Sequence, residues 1–311
     1  MATGQSPDYE LLDRLNVLPD VVRQHWFAYL LVVPTAMYLL FLVWYPALQG
    51  LYMSFFEWPL LGDQSYVGLG NYEYLLTWEA FRRSIFTTVI YSLQTVGHLV
   101  LGTVMGLVVW RQQRFKTVTS LMFLIPILLP PLVTGTLFRH VLEPDLGPFF
   151  ALLVDFGLLE SPVYWSNDGN LALLVITLVG VWTWSSFVFL LVYASLESIP
   201  DAHIEASRLY GAGAVQRLRR VILPQIKTAL LIALVLRIIR NLGKVAQPYQ
   251  ITRGGPGFDT TVLGLLVYRL AWERGELGLA FAGSIVLGLI TFVFIALFMW
   301  QFERSSEEVA A

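Results

Sequence analysis

Cysteine is absent from the 311 residues, which excludes disulfide frameworks, thiol nucleophiles and thiolate metal sites. Charge is scarce: Asp, Glu, Lys and Arg make up 14% of the chain, against roughly 25% in an ordinary soluble domain. The formal net charge of −2 gives no overall attraction to nucleic acid, so none is expected as a partner. The four histidines, His25, His98, His140 and His203, form no HExxH or other ligand-spaced group, and no metal site is expected. Neither a phosphate-binding loop ending in Gly-Lys-Ser/Thr nor a GxGxxG fingerprint occurs, so the chain itself is expected to bind no ATP, dinucleotide or other cofactor. The run Gly254-Gly255-Pro256-Gly257 lacks a preceding strand and a following Lys-Ser/Thr, and reads as a tight turn. No catalytic constellation remains, and the chain is read as a non-enzyme.

What is abundant is apolar surface. Hydrophobic residues make up 56% of the chain, concentrated in long blocks that a water-facing helix could not carry. One charge-free stretch, from about Phe27 to Leu48, is long enough to cross a hydrocarbon core of roughly 30 Å. Others run from Ser84 to Trp110, from about Val118 to Phe138, within Leu171 to Leu196 and within Leu277 to Trp300. Adjacent Pro130 and Pro131 predict that the third span is bent or broken. The weak span is the fifth, about Thr228 to Ile251, because it contains Arg237, Arg240 and Lys244 at i, i+3 and i+7. Such spacing puts the three cations on one face of a continuous helix, pointing into protein or a wet cavity. The alternative is that the hydrophobic part is shorter and that Arg240 and Lys244 snorkel toward headgroups or pair structurally with a neighbour. His98, inside the second span, reads as a neutral, hydrogen-bonded residue between helices. The fold class is therefore all-α, a polytopic membrane helical bundle with about six transmembrane helices.

The first 26 residues are polar, and Asp8, Glu10, Asp13 and Asp20 outnumber Arg14 and Arg23, unlike a basic signal-peptide start. The first apolar run is read as a retained helix. With the N-terminus inside, eleven of the 20 Lys and Arg residues fall in inner segments, six in outer loops and three in the fifth span, in agreement with the positive-inside rule. Both termini are then cytoplasmic. This divides the chain into a cytoplasmic segment 1–26, a membrane domain 27–302 containing a cytoplasmic loop 197–227, and a tail 303–311. Two substantial outer loops, roughly 52–83 and 139–169, are free to meet a soluble partner, and the second is acidic.

The most informative polar segment runs from Glu197 to Leu230. Ser198, Pro200 and Asp201 look like a helix start, with a cap, an early proline and an acidic first turn. Gly211 supplies a terminator, and Val215 to Leu223 forms a second helical stretch stopped or bent at Pro224. Two short helices meeting at a glycine make a projecting elbow. Ala206 and Gly211 keep its surface low enough for a partner to pack closely, and Glu205 and Arg208 offer charged contacts. An amphipathic helix lying on an anionic leaflet, favoured by Arg217, Arg219 and Arg220, is the equal alternative on physical grounds.

Glu205-Ala206-Ser207, then Gly211, then Ile222-Leu223-Pro224 resemble the EAA signature of permease subunits of bacterial ATP-binding-cassette importers, with serine in place of the second alanine. Val67 to Tyr72 resembles the FVGLxNY of the carbohydrate-type branch, which includes maltose and glycerol-phosphate permeases, and Thr252 to Pro256 is similar to its T-x-GGP. The likeness extends from about residue 27 to 300. It implies a type I importer transmembrane fold in the bacterial cytoplasmic membrane. It further implies a second, related permease chain, two ATPase subunits that hold ATP and Mg2+, and an extracytoplasmic solute-binding protein. Glu205, Ala206, Ser207, Arg208 and Gly211 would form the helix that couples to an ATPase. For a sugar path, the candidates are Gln94, Trp182, Trp184, Ser186 and Asn241, with Ser92, Thr95 and Ser185 nearby; interhelical hydrogen bonds or packing explain the same residues equally well. An ion-coupled secondary transporter is the runner-up, although no acidic residue lies in the central parts of the spans. A membrane scaffold or sensor is third.

Overall fold

The computed structural model describes residues 25–310, with side chains described to residue 297. Nearly all of the segment 1–26 and the side chains of the tail 303–311 lie outside that range. The chain divides into two compact units, residues 1–53 and 54–311. The described part of the first is a single helix, α1 (Trp26–Met53). It carries no charge and is apolar on every face, the composition of a helix surrounded by lipid or other spans. Pro34 lies inside it, and the stretch Leu40–Trp44 widens to a π-turn.

The second unit begins with a minimal hairpin, β1 (Phe56–Glu57) and β2 (Ser65–Tyr66), followed by α2 (Gly70–Thr77). Then come α3 (Glu79–Arg111), α4 (Lys116–Leu128), α5 (Pro131–Val141) and α6 (Pro148–Asp155). The 29-residue α7 (Gly169–Glu197) leads to α8 (Asp201–Leu209), α9 (Ala214–Gln225), α10 (Lys227–Leu242), α11 (Ala246–Thr252), α12 (Leu263–Trp272) and α13 (Leu277–Ala310). Among the described residues four helices, α1, α3, α7 and α13, are long and apolar enough to span a membrane, and two bent pairs raise the number to as many as six. The all-α class with about six spans therefore holds.

The bent pairs have local causes. The axes of α4 and α5 differ by 96°. Pro130 is extended (φ −55°, ψ 141°) and Pro131 occupies the first turn of α5, because a proline offers no N–H to continue the preceding helix. Between α9 and α10 the bend is 66°; it falls at Ile226, two residues beyond Pro224.

Two expectations are corrected. The fifth span does not run to Ile251, since α10 stops at Leu242 with Gly243 following. Lys244 therefore lies beyond the helix, and the three cations share no face: Arg237 is buried, Arg240 exposed. Ser198 is not the N-cap of α8. Pro200 holds that position, while the Ser198 hydroxyl donates back to the Ser195 carbonyl at 2.7 Å. The stretch between the fifth and sixth spans also carries α12, which is buried through Leu263, Leu265, Leu266 and Leu270.

At the centre stands α7, which packs along α3 and also meets α4 and α10. Asp168 caps it, accepting from the backbone N–H groups of Asn170 and Leu171 at 2.9 Å each. One apolar cluster lies near its start (Ala172, Ile176, Val179 with Tyr91, Trp165, Leu265), a second near its end (Val188, Val192, Leu196 with Ile204, Ile222, Ile226). The helices approach closely at glycines. A Cβ on Gly102 would sit 2.6 Å from Val188 Cβ and 2.8 Å from the Ser185 carbonyl, and one on Gly106 would sit 2.9 Å from Val192. This is the small-residue spacing that lets membrane helices pack backbone to backbone. Because the Ser185 carbonyl is fixed in its helix, Gly102→Val must push α3 and α7 apart, at a cost of about 1–3 kcal/mol. A lower melting temperature of the purified protein checks this.

Ion pairs group the loops by end. Lys116 meets Glu197 at 2.8 Å, joining the turn before α4 to the end of α7. Arg83 meets Asp259 at 2.6 Å, joining the start of α3 to the segment before α12. Asp259 also lies against Gly169 at the start of α7, so the two ion pairs sit at opposite ends of that helix.

Candidate functional site

At the Glu197 end, α8 and α9 form the elbow that the glycine spacing predicts. Ile204 and Ser207 face inward, and Ile204 joins the cluster with Ile199, Ile222 and Ile226. Ser207 Oγ donates to the Ile204 carbonyl at 2.7 Å. Helix α8 closes in a Schellman arrangement: the N–H of Ala212 donates to the Ser207 carbonyl and that of Gly211 to the Arg208 carbonyl, both at 2.9 Å. Gly211 has φ +74°, the left-handed conformation that a side chain disfavours. Glu205, Ala206 and Arg208 all face outward. So do large apolar groups that sequence reasoning passed over: Leu209 is 88% exposed, Tyr210 91% and Val215 65%. Their signal was available, as three apolar residues flanking a glycine turn in a polar loop.

Halfway along α7, between its two apolar clusters, lies a buried polar cluster. Trp184 is 15 residues from Gly169, roughly 20 Å from either end of the helix. Arg237 comes from α10 and is 2% exposed. Its Nη2 donates to Asn241 Oδ1 at 2.9 Å and its Nε to His98 Nδ1 at 3.4 Å. Asn241 Nδ2 in turn donates to Thr95 Oγ1 at 2.9 Å. His98 Nε2 lies 3.2 Å from the Gly180 carbonyl; with Nδ1 accepting, Nε2 is the donor, which matches the neutral, hydrogen-bonded histidine expected between helices. The Arg237 guanidinium lies 4.3 Å from the Trp184 ring centre and the Lys244 ammonium 5.0 Å from it. Gln94 completes the group against Gly180, where any Cβ would collide with its Oε1.

The structure thus brings together Gln94, Trp184 and Asn241 with Thr95. Trp182 is turned away, stacking edge-on against Phe138 at 5.1 Å in an apolar cleft of about 360 Å³. Ser92 and Ser185 donate to carbonyls of their own helices, and Ser186 is buried with its hydroxyl unpartnered. The members missing from the expected set are Tyr91, His98, Arg237, Lys244 and Gln247. Their legible signal was basic residues in a span with no acidic residue to match.

Family motifs away from the cluster have structural work. Asn71 donates to the Ser54 and Phe56 carbonyls. In the T-x-GGP segment, the Gly254 N–H donates to Thr252 Oγ1 at 3.1 Å and Thr261 Oγ1 to the Gly254 carbonyl at 2.9 Å, forming the tight turn read from the glycines. At the Asp168 end a cleft of about 580 Å³ lies among Arg139, His140, Glu143 and Arg253. Beside it, Tyr164 donates to Asp145 at 2.7 Å, and that carboxylate holds the phenol above its usual pKa.

A family model described as the binding-protein-dependent transport system inner membrane component matches residues 98–307. The chain belongs to this family. It is a multi-pass permease of the inner membrane, and the ion-coupled reading is set aside. It is 30% identical over 275 residues to the sulfoquinovosyl glycerol transport system permease protein SmoG of Agrobacterium fabrum, covering 88% of this chain and 89% of that one. To the trehalose/maltose transport system permease protein MalF of Thermococcus litoralis it is 29% identical over 286 residues, covering 91% and 96%. In fold it resembles a chain of the bacterial alginate ABC transporter solved in complex with an alginate pentasaccharide-bound periplasmic protein, with TM-score 0.77 and 21% identity over 90% of this permease and 94% of that chain.

Proposed function

We propose that this permease forms half of the translocation pathway for a sugar, polyol or related glycoside, and that the α8–α9 elbow couples it to a separate ATPase. The observation that carries the coupling role is the exposed tip. Leu209, Tyr210 and Val215 present apolar surface beside the charged Glu205 and Arg208, while Ile204 and Ser207 tie the helix to the bundle. An apolar centre with a charged rim is the anatomy of a protein-docking surface, and a rigid helix transmits a change in its partner's state better than a flexible loop. Glu205, Ala206, Arg208 and the Gly211 turn form that surface, with Ser207 holding it from beneath. The reading favours the elbow over an interfacial helix because the apolar residues cap its tip instead of lining one side.

The Glu197 end is assigned to the cytoplasm on the Lys/Arg distribution, and the same distribution assigns both termini to that side of the membrane. A second permease chain completes the pathway, two ATPases carry ATP and Mg2+, and a solute-binding protein delivers solute at the Asp168 end. The solute class is supported by the relatives, which are named for a sulfosugar glycoside and for neutral disaccharides. The polar cluster around Trp184 and Asn241 lies at the depth where a pathway is expected.

Replacing Leu209 and Tyr210 together by aspartate is expected to abolish co-purification of the ATPase subunits while the chain still inserts, because two charges on the apolar tip meet a desolvated partner surface. Undiminished co-purification from solubilised membranes would reject the docking role of the tip.

A further inference from the structure

Arg237 and Lys244 are two cations at the Trp184 ring, and no carboxylate among the described residues meets them. Ion pairs among the described residues are Arg83–Asp259, Lys116–Glu197, Arg269–Glu273 and Arg274–Glu276, all elsewhere. The partners of Arg237 are the neutral His98 and Asn241; Lys244 has Gln247 Oε1 at 3.4 Å and the Tyr91 ring at 5.7 Å. Arg237 is 2% exposed and Lys244 half-buried; a cation withdrawn from water without a counter-charge is costly, more so at mid-depth in a membrane bundle, and aromatic contacts offset only part of it.

A second, independent observation concerns the neutral groups beside them. Gln94, 3% exposed, has its amide beside the Tyr91 hydroxyl, and neither group closes a hydrogen bond of normal geometry; Gln247, 1% exposed, has an unpartnered Nε2, and the indole Nε1 of Trp184 is also unpartnered. Buried polar groups in a native fold are ordinarily satisfied. Here three N–H donors want acceptors next to two positive charges that want a negative one. Sugar hydroxyls supply acceptors but no charge, whereas an oxyanion supplies both, through strong charge-assisted bonds.

We infer that the transported solute is anionic, a sugar or polyol bearing a phosphate, sulfonate or carboxylate, and that this group seats against Arg237 and Lys244 with donors from Gln94, Gln247 and Trp184. The inference rests on the importer reading above and deepens it by fixing the charge of the solute.

The test uses the complete transporter, with its ATPases and sister permease, in lipid nanodiscs without the binding protein, so that only the membrane site is measured. Glucose, glucose 6-phosphate, glucuronate and 6-deoxy-6-sulfoglucose are titrated in parallel. At least one anion is expected to bind about tenfold or more tighter than glucose, and which one distinguishes phosphate, carboxylate and sulfonate. Lys244→Gln should erase this preference and Lys244→Arg keep it, with Arg237→Gln as a second charge-neutralising variant. Equal binding of glucose, no binding of any anion, or a preference that survives both neutral variants overturns the inference; a carboxylate from the sister subunit would then meet the cations. Should the variants fail to assemble, the wild-type comparison alone still decides. Failure of the importer reading shows separately, as absence of ATPase from the purified complex.

Discussion

Gly211→Val is expected to reduce solute-stimulated ATP hydrolysis by the reconstituted transporter by about tenfold or more, while Gly211→Asn retains most of it. The effect originates in the backbone. Gly211 has φ +74°, and a Cβ built there meets nothing within 4 Å. Any loss therefore arises from conformation and not from a clash. A β-branched residue in the left-handed region costs roughly 1–2 kcal/mol or more, whereas asparagine visits it readily. Leaving that region opens the two closing bonds to Ser207 and Arg208, which frees the C-terminus of α8 and with it the apolar tip at Leu209 and Tyr210. The helix would still form, since Pro200 and Asp201 set its start, but its end would no longer hold one orientation. Equal stimulated rates in the valine variant and wild type, with ATPase still bound, would show that the turn carries no coupling.

Much of this arrangement was legible in the sequence because it is written in local chemistry. Long charge-free runs mark spans, Pro130-Pro131 mark a break, and a glycine eleven residues after an early proline marks the end of α8. The failures share a cause: each concerns what a chain segment meets in three dimensions. Helical spacing alone placed Lys244 on the same face as Arg237, but α10 ends before it at Gly243. The tryptophans Trp182 and Trp184 are indistinguishable by type, yet two residues apart on a helix they point to different neighbours, one to Phe138 and one to Arg237. The polar cluster assembles from α3, α7, α10 and the segment after it, four places between 91 and 247, and no pattern along the chain records that meeting. Helix α12 was hidden because its ten residues are too few to cross a membrane and sit among turn residues.

The second large effect is expected at Asn71. Its amide uses both N–H groups, donating to the Ser54 and Phe56 carbonyls at 2.8 Å each, and the residue is 7% exposed. Around this bond pair the segment after Met53 is tied down on several sides. Ser54 Oγ lies 2.6 Å from the Tyr72 hydroxyl, the Val67 N–H donates to the Phe55 carbonyl at 3.0 Å, and the Leu277 N–H donates to the Trp58 carbonyl at 2.8 Å. Gly278 lets α13 approach so closely that a Cβ there would press on the Phe56 carbonyl and lie 3.1 Å from Asn71 Nδ2. One side chain therefore joins the start of α2 to the strand β1 beneath the start of α13. Asn71→Ala removes two buried donors at once, each worth about 1–3 kcal/mol where the acceptor stays out of water, and should lower the melting temperature of the purified permease. Asn71→Asp separates hydrogen bonding from shape, since the carboxylate has the same size but no donors and places a negative charge against two carbonyl oxygens. It should therefore destabilise at least as much as alanine. If aspartate melts like wild type, the paired donation is not what fixes this corner, and the FVGLxNY asparagine acts by packing alone.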